Sequence, residues 1–497
     1  MAADRQAVAF DLPLPGSRRN FRSVTRLETW ITRDVEAHDG LSAFRLLPTG
    51  LDAFVARAVL IEIAERSLDL QYYIFHLDQT GSLILDRLIA AADRGVRVRV
   101  LLDDWGTLEK DDESVAYLDA HPNIEVRLFN PYTHRSGWHR FAELLTDFKR
   151  VNRRMHNKLF VADGIATILG GRNIGDEYFG AGELDFQDLD VLAGGPIARQ
   201  STASFEAFWN SPFAIPIAQL SEFAPDAGAF PSKRRELRDR CDLLHESDYA
   251  LALGGSTLAQ ELHADGLRVH WAEARVIADP PEKLTQPAGW RSEGFLGGQL
   301  APHAGATRSA LLVVSPYFVP GQEGVEFLGR RERDGVDVRV LTNSLAATDV
   351  WLVHAGYMKY RWPLLRTGVR LFELRPEAVG ARHARAAKML VGSSRASLHG
   401  KTFVFDHASV FIGSLNLDPR SLELNTEIGV LVGSSTLAEE VAALFDRWSG
   451  GDLAYEVKPG SNGGLEWTGG FTDEPGAGFW RRLGVKVCSH LPIERLI

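Results

Sequence analysis

Cysteine is almost missing: Cys241 and Cys488 are the only two in 497 residues. A disulfide framework is therefore excluded, and a reducing compartment is expected. Long apolar runs are missing too. No stretch approaches 18 consecutive apolar residues, so no spanning helix is expected and any contact with a bilayer would be peripheral. The opening residues, Met1-Ala2-Ala3-Asp4-Arg5-Gln6, lead into no apolar core of signal-peptide type. Positive charge is in deficit, with 55 Lys and Arg against 65 Asp and Glu, a net charge of -10. That balance argues against a general nucleic-acid binder, which needs a basic footprint. Lysine is the scarcest cation, with ten in the chain.

What is present is ordinary for a soluble globular protein: 45% apolar and 24% charged residues. The length exceeds what one hydrophobic core serves, which points to two domains or a duplicated fold. Apolar residues at helical spacing over Leu51 to Ser67 predict a helix, and the aromatic, β-branched run Leu68 to Phe75 a strand. Gly81 to Arg94 reads as a helix closed by Gly95, followed by strands at Val96 to Leu102 and Ile124 to Phe129. Strand, helix, strand in that order implies a parallel pair with a helical crossover.

The same set returns downstream. Ser315 to Val319 echoes Gln71 to Phe75 after 244 residues, and Asp334 to Leu341 echoes Arg94 to Leu101 after 240. Val369-Arg370-Leu371-Phe372 repeats Val126-Arg127-Leu128-Phe129 after 243. Four landmarks, counting the motif below, share nearly one offset, which marks a tandem duplication. The expected fold class is α/β: two lobes, each a mixed sheet flanked by helices, meeting at a pseudo-twofold interface. The expected boundaries are an N-terminal extension at 1–44, a first lobe at 45–240, a second at 241–455 and a tail at 456–497. Pro459 to Gly478, rich in glycine, is expected to be a loose linker.

The fourth landmark carries the chemistry. His156-x-Lys158-x4-Asp163 with Asn173 behind it recurs 243 residues later as His399-x-Lys401-x4-Asp406 with Ser414 and Asn416. Leu398 to Phe405 reads as one strand and Val410 to Ile412 as the next, joined by a short turn, so a hairpin is expected. Positions i and i+2 of a strand face one way, which puts each imidazole beside its ammonium, and the hairpin returns the asparagine alongside. Two of the ten lysines fall in these motifs. Lysine and asparagine donate to phosphate oxygens and stabilise the added charge of a phosphorane transition state. Histidine attacks or transfers a proton near neutral pH. One histidine cannot attack phosphorus and protonate the in-line leaving oxygen together; two on opposite sides can. Neither motif has a second His or Cys at ligand spacing, so no metal and no cofactor is expected. Asp163 and Asp406, next to turns, are expected to hold the hairpins.

These paired motifs, with Gly170-Gly171-Arg172-Asn173 and Ser414-Leu415-Asn416-Leu417-Asp418-Pro419-Arg420-Ser421, resemble the phospholipase D superfamily and, within it, bacterial cardiolipin synthases without transmembrane helices (type C). The resemblance spans roughly residues 45 to 450, and the tail Phe479 to Ile497 resembles that class as well. It implies ping-pong transfer of a phosphatidyl group through a phosphohistidine, with phosphatidylglycerol as acceptor and phosphatidylglycerol or phosphatidylethanolamine as donor. It implies His156 as nucleophile and His399 as general acid, later base, although the spacing alone leaves the two interchangeable. Glu427 matches the family's acidic residue that hydrogen-bonds a catalytic histidine, and Asp188 is its counterpart, with Asp185 and Asp190 as alternatives. Gly171 stands where the family has serine, so the halves are not equivalent.

Cationic residues Lys149, Arg150, Arg153 and Arg154 lead into His156, and Arg382, Arg385 and Lys388 precede His399. Arg153, Arg154, Tyr317 and His354 are the candidate substrate-binding residues. Tyr132 to Phe148 is either an aromatic lid or a satellite core helix. Phe479 to Ile497, mixing aromatics with Arg481, Arg482 and Lys486, is either a membrane-interface segment or a helix docked on the protein. The expected setting is the cytoplasmic face of a bacterial membrane. The expected partners are phospholipids and the membrane surface, not nucleic acid; no accessory protein is named by the residues.

Overall fold

The structure, a computed structural model, describes residues 25, 27, 35–106, 117–133, 143, 146–182, 184–220, 230–245, 247–264, 267–287, 293–377, 395–461 and 463–491. In the first lobe these form β1 (Ser42–Leu47), α1 (Gly50–Ile63), β2 (Ser67–Ile74), α2 (Gln79–Asp93), β3 (Arg97–Gly106), β4 (Ile124–Phe129), β5 (Leu159–Ala162), β6 (Ala166–Gly170), β7 (Leu184–Gln187), β8 (Asp190–Gly194), α3 (Pro196–Trp209), β9 (Ala214–Pro216) and α4 (Phe230–His245). The second lobe has β10 (His270–Ala278), β11 (Ala310–Val314), α5 (Gly321–Arg333), β12 (Asp337–Asn343), α6 (Trp351–Arg366), β13 (Arg370–Leu374), β14 (Arg395–Leu398), β15 (Thr402–Phe405), β16 (Ser409–Gly413), β17 (Ile428–Gly433), α7 (Ser435–Trp448), β18 (Ala454–Pro459), β19 (Leu465–Trp467) and α8 (Phe479–Cys488). Helix α2 starts where the Asp78 side chain accepts from the Gly81 amide at 3.0 Å, and it ends at Gly95, whose φ of +93° costs a glycine little.

Seventeen strands hydrogen-bond in one path, β9-β4-β3-β2-β5-β6-β8-β1-β10-β17-β16-β15-β11-β12-β13-β18-β19. The duplication is visible along it. β2-β3-β4 and β11-β12-β13 are the parallel triplets, and β5-β6 and β15-β16 the antiparallel hairpins. The lobes are stitched at the middle, where β1 and β10 pair antiparallel with Ala43 opposite Trp271. Period-two alternation divides the cores. On β5, Leu159 and Val161 face a core shared with Leu312, Val314 and Ile412 of the other lobe. Phe160 and Ala162 face the first lobe's own core beneath α1 and α2.

Three expectations change. The first lobe does not end at residue 240: Cys241, Tyr249, Leu253, Leu258 and Ala259 continue its core, packing their apolar side chains with those of α1 and α2. Tyr249 also donates its hydroxyl to the Phe179 carbonyl at 3.1 Å. Nor is the glycine-rich stretch after Pro459 a loose linker. β19 pairs with β18, Trp467 donates to Glu373 Oε2 at 2.8 Å, and Glu474 meets the buried Arg361 guanidinium at 2.5 Å. Arg361 already holds Glu373 Oε1 at 2.7 Å, and a buried cation with several donors draws in a second carboxylate. Lastly, Leu398 to Phe405 is not one strand. β14 leaves its own lobe to pair in parallel with β7 of the other, so His399, Gly400 and Lys401 bridge the gap before β15.

Most of residues 1–34, the Trp138, Phe141, Leu144 and Leu145 part of the aromatic segment, and the Arg382, Arg385 and Lys388 cluster lie outside the described residues. Among the described residues no helix is long and apolar enough to cross a membrane.

Candidate active site

Each histidine is placed by the opposite lobe. The His156 amide donates to the Thr426 carbonyl at 2.9 Å, and the Thr426 amide to the Arg154 carbonyl at 3.0 Å. The residue after Thr426 is Glu427, and its carboxylate receives His156 Nδ1 at 2.9 Å. In the mirror arrangement the amides of His399 and Gly400 donate to the Gln187 carbonyl at 2.8 and 3.0 Å, and the next residue, Asp188, takes His399 Nδ1 at 2.6 Å. The pairs are crossed, so neither lobe holds its own imidazole. With Nδ1 bound to a carboxylate, the tautomer is fixed and Nε2 is left for chemistry. Asp190, an alternative partner in the sequence, instead meets Arg57 Nη2 at 2.9 Å.

The two half-sites feel each other. The ammoniums of Lys158 and Lys401 are pushed down by burial, and each lies near enough to the opposite half-site to depress the opposite imidazole. Lys158 Nζ donates to the His156 carbonyl at 2.6 Å; Lys401 Nζ does the same to the His399 carbonyl and lies 3.1 Å from His399 Nδ1. Burial, then Lys401, lowers His399 to about 4 against the pull of Asp188, and burial and Lys158 take His156 well below its ordinary value. Both shifts favour the neutral imidazole, and an entering phosphodiester anion would raise both.

The supporting carboxylates differ. Burial raises Asp188, but the His399 ring and Lys401 overcome it and bring the group to about 2. Burial raises Glu427 to about 7, with Lys158 and Ser414 only partly offsetting it. The Ser414 hydroxyl donates to Glu427 and accepts from the Ile428 amide at 3.0 Å. The matching residue, Gly171, could not carry a side chain as things stand: a Cβ there would fall 2.3 Å from Asp188 Oδ1.

Asn173 Oδ1 accepts from the Ile74 amide at 3.2 Å, and its Nδ2 donates to the Tyr178 hydroxyl at 2.9 Å. Asn416 is buried with Oδ1 unpartnered. Asp163 and Asp406 sit in left-handed turns, φ +54° and +53°, away from the imidazoles. Asp163 accepts from the amides of Glu65, Arg66 and Ser67 at the start of β2, and Asp406 from those of Arg308, Ser309 and Ala310 at the start of β11.

Three residues expected to bind substrate point elsewhere. Arg154 is fully buried, with Nε on the Val151 carbonyl at 2.8 Å and Nη1 3.3 Å from Asp103. Arg153 Nη1 spans the Lys283 and Gln286 carbonyls at 2.8 and 2.7 Å. His354 is locked against Arg361 Nη2 at 2.8 Å. For Arg154 and His354, internal acceptors or ion pairs satisfy a group that would otherwise be a buried, unpaired cation or imidazole; Arg153 is half-buried, its guanidinium taken up by the two carbonyls. Tyr317, half-buried, donates to Asp349 at 2.7 Å.

Several contacts escape sequence reasoning. The rings of Tyr73 and His156 meet edge to face, with centroids 5.1 Å apart. Tyr178 and Phe186 flank His399 at 5.1 and 4.9 Å. Arg420, near enough to lower the proton affinity of His156, donates to Asn152 Oδ1 at 2.6 Å. Tyr73 and Arg420 do stand inside echoed or motif-bearing stretches, which was the available signal. A cation would find three donor atoms within 4.8 Å of one another at His76, Asp78 and Glu177, although the Asp78 carboxylate is already engaged in capping α2.

Comparison with known proteins agrees with this geometry. The family model described as cardiolipin synthase, PLD-like domain, matches residues 58–209 and 303–448, one match per lobe. The chain is 42% identical to cardiolipin synthase C of Escherichia coli over 477 residues, covering 93% of this chain and 97% of that one. It is 27% identical to cardiolipin synthase A of Pseudomonas syringae over 406 residues, 80% of this chain and 67% of that one. The crystal structure of phosphatidylserine synthase from Haemophilus influenzae superposes with a TM-score of 0.54 at 14% identity, covering 84% of this chain and 90% of that one, which shows a common fold. With two motif-bearing lobes, crossed histidine–carboxylate pairs and these matches, the chain belongs to the cardiolipin synthase group of the phospholipase D superfamily.

Proposed function

We propose that the protein is a phosphatidyltransferase that makes cardiolipin, moving a phosphatidyl group from a phospholipid donor to phosphatidylglycerol. The observation that carries this is the crossed pair of imidazoles, each with Nδ1 on a carboxylate and each beside a buried ammonium. His156 Nε2 attacks phosphorus as the bond from phosphorus to the headgroup oxygen breaks. The electron pair of that bond leaves on oxygen, which takes the proton of His399. In the second step the acceptor hydroxyl yields its proton to His399 while its oxygen displaces His156. Lys158 and Lys401 offset the charge gathering on the phosphoryl oxygens, so the reaction is proposed to proceed without a metal.

The unequal carboxylates favour this assignment over its reverse. Asp188, held down to about 2 by the His399 ring and Lys401, suits a ring that must become imidazolium, whereas Glu427, raised by burial to about 7, supports an imidazolium at His156 less. The proposed donors are phosphatidylglycerol and phosphatidylethanolamine, and the proposed setting is the cytoplasmic face of a bacterial membrane. Helix α8 packs on the second lobe through the buried Val485, and its outer face is proposed to lie in the bilayer surface: Phe479 and Trp480 are 69% and 79% exposed on a helix whose charges are Arg481, Arg482 and Lys486. Incubation with donor labelled in its phosphatidyl part tests the reading. Labelled cardiolipin is expected; phosphatidic acid as sole product would make the protein a hydrolase instead.

A further inference from the structure

The repeat-related residues Tyr73 and Tyr317 stand at matching places near the ends of β2 and β11, yet their side chains do different things. Tyr73 packs its ring on His156 and under the Lys158 ammonium, 5.1 and 5.4 Å from its centroid. At His399 that place belongs to Tyr178 and Phe186 of the opposite lobe. Tyr317 is turned aside, and its hydroxyl donates to Asp349 Oδ2 at 2.7 Å. Asp349 is exposed, between β12 and α6. Phe318, next to Tyr317, bridges to Leu417, and the Leu417 amide donates to Ser315 Oγ at 3.0 Å, which sets this segment beside Asn416 of the second half-site; the Asp349 charge accordingly supports the Lys401 ammonium. No step of the proposed reaction uses it.

His399 is where an alcohol leaves and where the next one enters. We infer that Tyr317 and Asp349 form the subsite for that headgroup alcohol, selecting one that carries a further hydrogen-bond donor. A carboxylate only accepts, and Asp349 is exposed. A distal hydroxyl of a glycerol headgroup, or the ammonium of an ethanolamine headgroup, would meet it with a charge-assisted bond. A plain alkyl alcohol would gain nothing there, and a headgroup ending in a carboxylate would be repelled. This inference rests on His399 being the acid and base of the proposed transferase.

The test uses the full-length protein, wild type against Asp349→Asn and Tyr317→Phe, in mixed micelles. For phosphatidylglycerol and for phosphatidylethanolamine, kcat/KM for donor use is divided by that for phosphatidylethanol, whose headgroup has no second donor. The ratio cancels any loss of folded protein. For Asp349→Asn, at least one ratio is expected to fall about tenfold, the scale of a hydrogen bond to a charged group. Tyr317→Phe is expected to shift the same ratio in the same direction by less. A fall in the glycerol ratio assigns a polyol subsite, and one in the ethanolamine ratio an ammonium subsite. Ratios that stay constant, including when all three rates drop together, overturn the subsite. Wild-type protein that consumes none of the three lipids overturns the proposed function itself, and the subsite with it.

Discussion

Putting a side chain at Gly171 is expected to spare the fold and injure the site. The position faces Asp188, and a Cβ there would lie 2.3 Å from Oδ1 and 2.7 Å from Oδ2. What must move is the end of one side chain rather than backbone, so the fold gives way cheaply. That end, however, is the carboxylate bonded to His399 Nδ1 at 2.6 Å. A charge-assisted hydrogen bond of this kind contributes about 1.5–3 kcal/mol. At about 1.4 kcal/mol per decade, Gly171→Ser should lower kcat for phosphatidyl transfer by about 10- to 100-fold. The other half-site already contains a solution: Ser414 donates to the longer Glu427, which in turn reaches His156. Asp188→Glu alone should also be impaired, since the longer chain has no hydroxyl to hold it. Together, Gly171→Ser and Asp188→Glu rebuild the second half-site's arrangement, and the double variant should exceed Gly171→Ser by roughly tenfold, about 1.4 kcal/mol, so that the coupling is this gain plus the whole cost of Asp188→Glu alone. The assay is cardiolipin formation by the four proteins of the cycle, with thermal unfolding as the check on folding. Full activity in Gly171→Ser, or strictly additive losses, would refute the reasoning.

Burial holds Glu427 near 7, so the partner of His156 changes from carboxyl to carboxylate across neutral pH. kcat/KM should rise with pH through about 7 in the wild type, and this limb should vanish in Glu427→Gln; persistence of the limb would point to another group. Asp406→Ala removes the acceptor for three amides at the start of β11 and puts alanine at φ +53°, a loss of roughly 1–2 kcal/mol read from the denaturant midpoint. These hydrogen bonds hold Asp406 below its ordinary value despite partial burial, so its contribution is present above the unfolded-state pKa and fades as pH falls through the folded one. The gap between wild type and Asp406→Ala should therefore narrow in acid, and a constant gap would contradict this. Removal of residues 479–497 should reduce liposome binding several-fold while leaving turnover of detergent-dispersed lipid measurable; unchanged liposome binding would show that the outer face of α8 does not enter the bilayer.

Much of this was legible because duplication leaves its own evidence. A single His-x-Lys pair says little, but two at the offset shared by strand echoes fix the repeat, and the β2-β3-β4 and β11-β12-β13 triplets follow from it. The crossing of Glu427 to His156 and Asp188 to His399 was not legible. It depends on the register of β7 with β14 and of Met155 with Thr426 across the lobe interface, which no local periodicity encodes. The cations misled for a related reason. Arg154 stands in a basic run beside the motif, but its guanidinium turns inward to Val151 and Asp103, a choice made by tertiary packing. The glycines after Pro459 suggested slack chain, yet Trp467 and Glu474 within that stretch are tied to a buried ion cluster around Arg361.

The central claim is that two crossed histidines divide one transfer, with His156 taking the phosphatidyl group and His399 the proton. Acid-quenching the enzyme during turnover of phosphatidylglycerol, followed by peptide mass spectrometry, tests it directly. A phosphatidyl adduct on the peptide containing His156, accumulating further in His399→Ala, is the predicted result. An adduct on His399, or cardiolipin forming with no adduct on either histidine, would contradict it.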